Sequence, residues 1–91
     1  MTETTRAHVR VRGLVQGVCF RADTRSRARS LDLSGWVRNC HDGSVEAVFE
    51  GHAARVASMV DWCRRGPSGA RVDEVSVEWE RPQGNAGFYV A

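Results

Sequence analysis

Residues Gly13 to Arg21 read GLVQGVCFR and join a strand pattern to a helix pattern. Before this stretch, Val9 and Val11 alternate with polar residues between Ala7 and Gly13, which predicts a half-buried strand. After it, residues at spacings of four, four and three mark one face of a helix: Phe20, Thr24, Ala28 and Leu31. The stretch is therefore predicted to be a glycine-containing turn that leaves a strand and enters a helix.

A β-hairpin is predicted next along the chain. Its strands run from Trp36 to Cys40 and from Ser44 to Glu50, and the tight-turn residues His41, Asp42 and Gly43 separate them. One face of the second strand is apolar: Val45, Ala47 and Phe49. The hairpin is expected to turn this side toward the core.

A second helix and two further strands complete the chain. The helix is predicted from Ala53 to Arg65, because four residues stand at i, i+3, i+4 and i+7: Val56, Met59, Val60 and Cys63. Gly66 and Pro67 are expected to end it. A fourth strand is predicted through Val75, Val77 and Trp79, and Phe88 to Val90 is predicted to form a short closing strand.

The resulting order, βαββαβ with a strand-like tail, is that of the split βαβ arrangement. It predicts an α+β, ferredoxin-like sandwich in which two helices cover one face of an antiparallel sheet, with a short extra C-terminal strand. The 91 residues suit one domain. We expect residues 1–6 to form a flexible N-terminus and residues 7–91 to form the domain.

Composition excludes several classes of protein. With 42% hydrophobic and 26% charged residues the chain is typical of globular proteins, and without a long apolar run it predicts no membrane span. A formal charge of only +2 disfavours nucleic acid as a partner. Trp36 and Trp79 fit a core or sheet surface better than a base-stacking platform, and Trp62 is expected to be partly exposed.

Cysteine and histidine placement argues against a disulfide framework and a metal site. The three cysteines lack a CxxC pair, so reduced thiols are expected, with Cys40 and Cys63 in packing roles. The first residues, MTETTRAHV, have neither an apolar signal core nor a transmembrane run, so a cytoplasmic location is expected. The three histidines are scattered without nearby carboxylates, and we interpret them as surface residues: His8, His41 and His52. No metal is predicted.

The turn from Gly13 to Arg21 has the parts of an anion-binding site. Its backbone N–H groups converge beside a helix N-terminus, which carries about half a positive charge. Arg21 can add a planar fork for two phosphate oxygens, and Gly17 can take a positive φ. A purely structural turn with Arg21 as a surface charge remains an alternative. The Walker pattern and GxGxxG are both absent, which disfavours nucleotide binding.

The same residues carry a family resemblance. VRGLVQGVCFR, from Val11 to Arg21, resembles the first acylphosphatase signature without a mismatch. Residues 35–39, GWVRN, followed by Gly43, Val45 and Gly51, resemble the second signature. The linker from Gly66 to Val72 is also similar to that family, whose fold is ferredoxin-like. The closing strand stops short of the longer end common among its members.

The resemblance implies hydrolysis of acyl phosphates to a carboxylate and inorganic phosphate, without a metal or cofactor. A monomer is expected separately, since nothing in the composition demands an assembly. Arg21 and Asn39 are then catalytic: Arg21 holds the phosphate, and Asn39 orients the attacking water. The phosphate-binding residues are implied to be Val15, Gln16, Gly17, Val18, Cys19, Phe20 and Arg21. Gln16 and Phe20 are expected to shape the loop, while residues 15–19 bind through main-chain N–H groups.

Other interpretations stay open at this stage. Asn39 could instead be a structural residue at a strand end, where its side chain hydrogen-bonds the following turn. Cys19 lies at a helix N-terminus, which favours a reactive thiolate, although the family signature leaves that position variable. A ferredoxin-like binding module would keep the anion loop without turnover. Large hydrogenase-maturation carbamoyltransferases carry a similar N-terminal domain, but proline commonly follows the arginine there, whereas this chain has Ala22.

Overall fold

A computed structural model describes residues 3–91. Its elements follow the predicted order: β1 (Thr4–Leu14), α1 (Phe20–Ser30), β2 (Ser34–Asn39), β3 (Val45–His52), α2 (Ala53–Cys63), β4 (Arg71–Glu80) and β5 (Phe88–Val90). The strands form one sheet in the order β4-β1-β3-β2-β5. The ferredoxin-like α+β class is confirmed. Within residues 3–91, neither helix is long and apolar enough to cross a membrane.

The sheet is mixed, so the prediction of an antiparallel sheet is wrong at one edge. β1 pairs with β3 and β4, and β2 pairs with β3, all antiparallel. β5 instead lies parallel to β2, with Phe88 opposite Gly35. The cause is the connection after β4, which crosses from one edge of the sheet to the other and brings the chain back in the direction of β2.

Both helices cover the same face of the sheet. The residues of β1 that face them are fully buried in one core with α1 and α2: Ala7, Val9 and Val11. Phe49 of β3 stacks on Phe88 of β5, with ring centroids 5.7 Å apart. Such a pair stabilises by about 0.5 to 1.5 kcal/mol beyond the area that it buries, and it fastens the short β5 to the sheet.

Two sequence expectations are corrected by packing. Thr4 to Arg6 belong to β1 rather than to a flexible N-terminus, because Arg6 is buried and paired with two carboxylates; Met1 and Thr2 lie outside the described residues. Trp62 is buried rather than partly exposed. The ring centroids of Phe20 and Trp62 are 5.4 Å apart, and the Arg27 guanidinium lies 5.3 Å from the Trp62 ring centroid. The predicted apolar faces of both helices are confirmed.

The face of the sheet that carries no helix is lined by ion-paired side chains. Arg6 contacts Glu50 and Glu80, while His8 lies between Glu46 and Glu80. Because side chains alternate across a strand, these residues point away from the core that their neighbours form. The prediction that the histidines lack nearby carboxylates is wrong for His8, because neighbouring strands supply Glu46 and Glu80.

Glu50 links this face to the connection between β4 and β5. It accepts hydrogen bonds from Arg6 and from the N–H groups of Gln83 and Gly84. Burial by itself raises the pKa of Glu50, but the two backbone hydrogen bonds and Arg6 together outweigh it and lower the pKa. A carboxyl group whose pKa is lowered on folding stabilises the protein above its unfolded pKa of about 4.3, and this is lost as the pH falls through the folded pKa.

We therefore expect Glu50→Gln to lower the free energy of unfolding at pH 7 by about 1 to 3 kcal/mol. The difference from wild type should shrink at pH 3, because the wild-type carboxyl is then becoming protonated. Urea unfolding at the two pH values measures this. Glu78→Gln is the control, since Glu78 is exposed on the same face. An equal deficit for Glu50→Gln at both pH values would contradict the assignment.

Candidate active site

A cavity of about 370 Å³ lies where the loop after β1, the start of α1, the end of β2 and β5 meet. It is lined by Val15, Gly17, Cys19, Phe20, Arg21, Ala22, Arg25, Asn39 and Val90. Arg21 and Asn39, which belong to two separate sequence motifs, therefore face one space. Of the predicted phosphate-binding residues, Gln16 and Val18 do not line it.

Backbone conformation shapes the loop. Gly17 has a φ of +75°, and a Cβ there would meet nothing within 4 Å, so the requirement for glycine is conformational. Gly13 has a φ of +136°, and a Cβ there would lie 2.1 Å from the Arg71 carbonyl oxygen. The first glycine of the motif thus lets β4 approach β1 at a point where their register shifts.

Cys19 sets the start of α1. It is the N-cap residue in the left-handed region, with a φ of 63°, and its side chain makes no capping hydrogen bond. The Asp23 N–H donates to the Cys19 carbonyl at 3.0 Å, which is the first bond of the helix. The earlier amides of α1 have no intrahelical partner by geometry, so they and the positive end of the helix dipole are available at the cavity.

Gln16 fastens the loop to the hairpin. Its side-chain Nε2 donates to the carbonyl oxygens of Cys40 and Ser44, at 2.8 and 2.9 Å. Ser44 is itself held by Asp42, whose carboxylate accepts from its N–H and hydroxyl groups. These bonds and the bond from Arg12 lower the pKa of Asp42. Gln16 thereby sets the loop relative to the strand end that carries Asn39.

Phe20 and Val18 pack the loop against the hydrophobic core. Phe20 is buried, and its ring packs on Trp62 of α2. Val18 is half-buried against the core. A Cβ at Gly66 would lie 2.7 Å from the Phe20 ring, so the glycine that follows α2 leaves room for it. The expectation that Phe20 shapes the loop agrees with these contacts.

Arg21 is exposed at the mouth of the cavity and has no ion-pair partner within residues 3–91. Several other arginines are occupied. Arg38, which precedes Asn39, contacts Glu46, and Arg12 contacts Asp42. The Arg21 guanidinium is thus free to bind an anion in the cavity.

The cysteines differ in accessibility. Cys19 is an exposed thiol in the cavity wall, while Cys63 is fully buried. Burial raises the pKa of Cys63 to about 12, which makes it inert as a nucleophile and agrees with its predicted packing role. Cys40 is half-buried, with its Sγ 3.9 Å from Glu46.

Sequence reasoning missed three side chains of the cavity: Ala22, Arg25 and Val90. Arg25 lies one helical turn after Arg21, so its place on the same face follows from the i, i+4 rule once the helix is known. Val90 carries no comparable signal, because its position depends on the parallel pairing of β5 with β2.

Known proteins resemble this chain in sequence. The family model described as Acylphosphatase matches residues 7–90. An acylphosphatase from Roseiflexus sp. is 57% identical over 99% of this chain and 98% of its own length. One from Chloroflexus aurantiacus is 53% identical over 96% of this chain and 95% of its own length.

Solved structures give the same result. The acylphosphatase from Bacillus subtilis superimposes with a TM-score of 0.92 at 33% identity, covering 96% of this chain and 98% of that chain. Full-length HypF in its phosphate- and nucleotide-bound form has a TM-score of 0.87 at 20% identity, with this chain covering 12% of it, so that likeness concerns the fold alone. With its two signature segments on one cavity and full-length relatives of that name, the chain belongs to the acylphosphatase family.

Proposed function

We propose that Arg21 and the loop amides hold the phosphoryl group of an acyl phosphate while Asn39 orients the water that attacks it. Hydrolysis of acyl phosphates is the activity that the family and its near-full-length relatives support. The observation that carries the residue assignment is the meeting of Arg21 and Asn39 on one cavity, beside an uncapped helix N-terminus.

The leaving group explains why so few catalytic groups suffice. The water oxygen bonds to phosphorus as the bond from phosphorus to the acyl oxygen breaks, and that oxygen leaves as a carboxylate. Because the conjugate acid of a carboxylate has a pKa of about 4, it departs without a general acid. The remaining tasks are to stabilise charge on the phosphoryl oxygens and to place the water in line.

The phosphoryl end is proposed to sit against residues 15–21. Their backbone N–H groups and the start of α1 supply fixed dipoles, and the Arg21 guanidinium supplies a full charge with two parallel donors. Such donors need no rearrangement as charge develops. Main-chain binding explains how Gln16 and Val18 can belong to this loop although their side chains point away from the cavity.

Asn39 is proposed to act on the water alone. Its amide both accepts and donates hydrogen bonds, so it can fix the orientation of a water molecule without removing a proton from it. The proton can pass to the phosphate as the product forms. Asn39 lies at the end of β2 opposite Val45, on the side of the sheet that the helices cover.

The test compares wild type with Arg21→Ala and Asn39→Ala on benzoyl phosphate in the presence of EDTA. Phosphate release gives turnover, and competitive inhibition by inorganic phosphate gives affinity for the phosphoryl end. The assignment requires that only Arg21→Ala weakens phosphate binding. Equal loss of phosphate affinity in both variants contradicts it. A binding module without turnover would release phosphate no faster than buffer.

Gln16→Ala is expected to lower kcat/KM for benzoyl phosphate by about tenfold, because two hydrogen bonds that fix the loop to the hairpin are lost. Gln16→Glu should be at least as damaging, since it brings a carboxylate to two carbonyl oxygens. Steady-state kinetics and amide hydrogen exchange of residues 15–19 measure both effects. Wild-type kinetics in Gln16→Ala would show that this bridge does not position the loop.

We also propose that the chain works as a cytoplasmic monomer on small molecules, without nucleic acid as a partner. The charge of +2 gives little attraction to a polyanion. The charged side chains on the sheet face without helices pair with one another within the chain. The three cysteines are free, as in a reducing compartment.

A further inference from the structure

We infer that Arg25 binds a second negative charge on the acyl part of the substrate. The chain would then prefer acyl phosphates whose acyl group carries a further anionic group over those whose acyl group is uncharged. This inference rests on the proposed function, because Arg21 is taken to hold the phosphoryl end.

Position supports a second binding point. Arg25 follows Arg21 by one turn of α1 and lines the same cavity. Residues four apart on a helix have their Cβ atoms about 5 to 6 Å apart, and both arginine side chains are long. Two guanidinium groups can therefore reach the two ends of one small molecule.

Charge supports an anion at this second point. The cavity wall contains two arginines and no carboxylate among its lining residues. Arg25 forms no ion pair within residues 3–91, in contrast to Arg10 on the other face, which contacts Asp42 and Glu46. Like charges at i, i+4 repel each other. A ligand with two separated negative charges removes that repulsion, whereas a singly charged end leaves Arg25 unpaired.

The rest of the wall suits the carbon skeleton between two charges. Val90 and Ala22 contribute apolar surface beside the arginines. Val90 is held there because Phe88, two residues earlier, is buried in the core and stacked on Phe49. The cavity thus offers two cationic side chains and apolar surface in the same wall.

The experiment compares 4-carboxybenzoyl phosphate with benzoyl phosphate. The measured quantity is the ratio of their kcat/KM values, first for wild type and then for Arg25→Gln. Taking this ratio within each variant cancels the intrinsic reactivity of the two anhydrides. We expect the ratio to fall about two- to fivefold in Arg25→Gln, the size of effect typical of one accessible charge pair, and the loss to appear mainly in KM.

Arg55→Gln is the matched control, since Arg55 is exposed on α2 and does not line the cavity. It should keep the wild-type ratio. An unchanged ratio in Arg25→Gln, or the same fall in Arg55→Gln, overturns the inference. Failure of the proposed function would appear differently, as benzoyl phosphate hydrolysis at the wild-type rate in Arg21→Ala.

Discussion

Arg21→Ala is expected to lower kcat/KM for benzoyl phosphate by about 10² to 10³, the usual cost of removing one preorganised donor from a charge-stabilising site. The guanidinium has no competing ion pair within residues 3–91, so nothing in the described fold holds it away from a phosphoryl group. Inhibition by inorganic phosphate should weaken in parallel, because product and substrate share the phosphoryl end. Both constants come from steady-state assays.

Arg21→Lys separates geometry from charge. Lysine keeps the positive charge but loses the planar fork that matches two phosphate oxygens. We expect it to recover only part of the lost activity. Arg55→Ala, on α2, controls for the loss of one surface arginine. Since Arg21 is exposed, urea unfolding should show little change. Full activity in Arg21→Ala, with stability retained, would remove Arg21 from the mechanism.

Local patterns were sufficient to predict most of the fold. Helical spacing in α2 and strand alternation in β1 each depend on one buried face, so they can be found without knowledge of the partner. The parallel edge could not be found in this way, because Phe88 to Val90 is too short to indicate which strand it joins. The burial of Arg6 was also hidden, since its partners Glu50 and Glu80 lie far away in sequence.

The residues of the candidate site also differ in whether a local pattern could predict them. Residues 13–21 carry a local signal that favours an anion-binding turn over their own length, and Arg21 lies within it. Asn39 has no such signal of its own, since a strand-end asparagine often serves a turn; only the second family signature pointed to it. Arg25 was predictable in principle from helix geometry, whereas Val90 reaches the cavity only through tertiary pairing.

Asn39→Ala is expected to lower kcat for benzoyl phosphate by about 10² to 10³ while inhibition by inorganic phosphate stays within about twofold of wild type. The reason is that the amide is proposed to contact the water and not the phosphoryl oxygens. A group that acts only in reaching the transition state changes kcat, and leaves ground-state binding of phosphate in place.

Asn39→Asp sharpens this expectation. The carboxylate has nearly the shape of the amide but cannot donate a hydrogen bond, and it adds a negative charge beside the phosphoryl group. It should therefore lose turnover as Asn39→Ala does and, in addition, bind phosphate more weakly. Asn85→Ala serves as the control, because Asn85 is exposed in the loop before β5 and lies outside the cavity. If Asn39→Ala raised the inhibition constant of phosphate as much as Arg21→Ala does, Asn39 would be a phosphate ligand, and the water would have to be placed by another group.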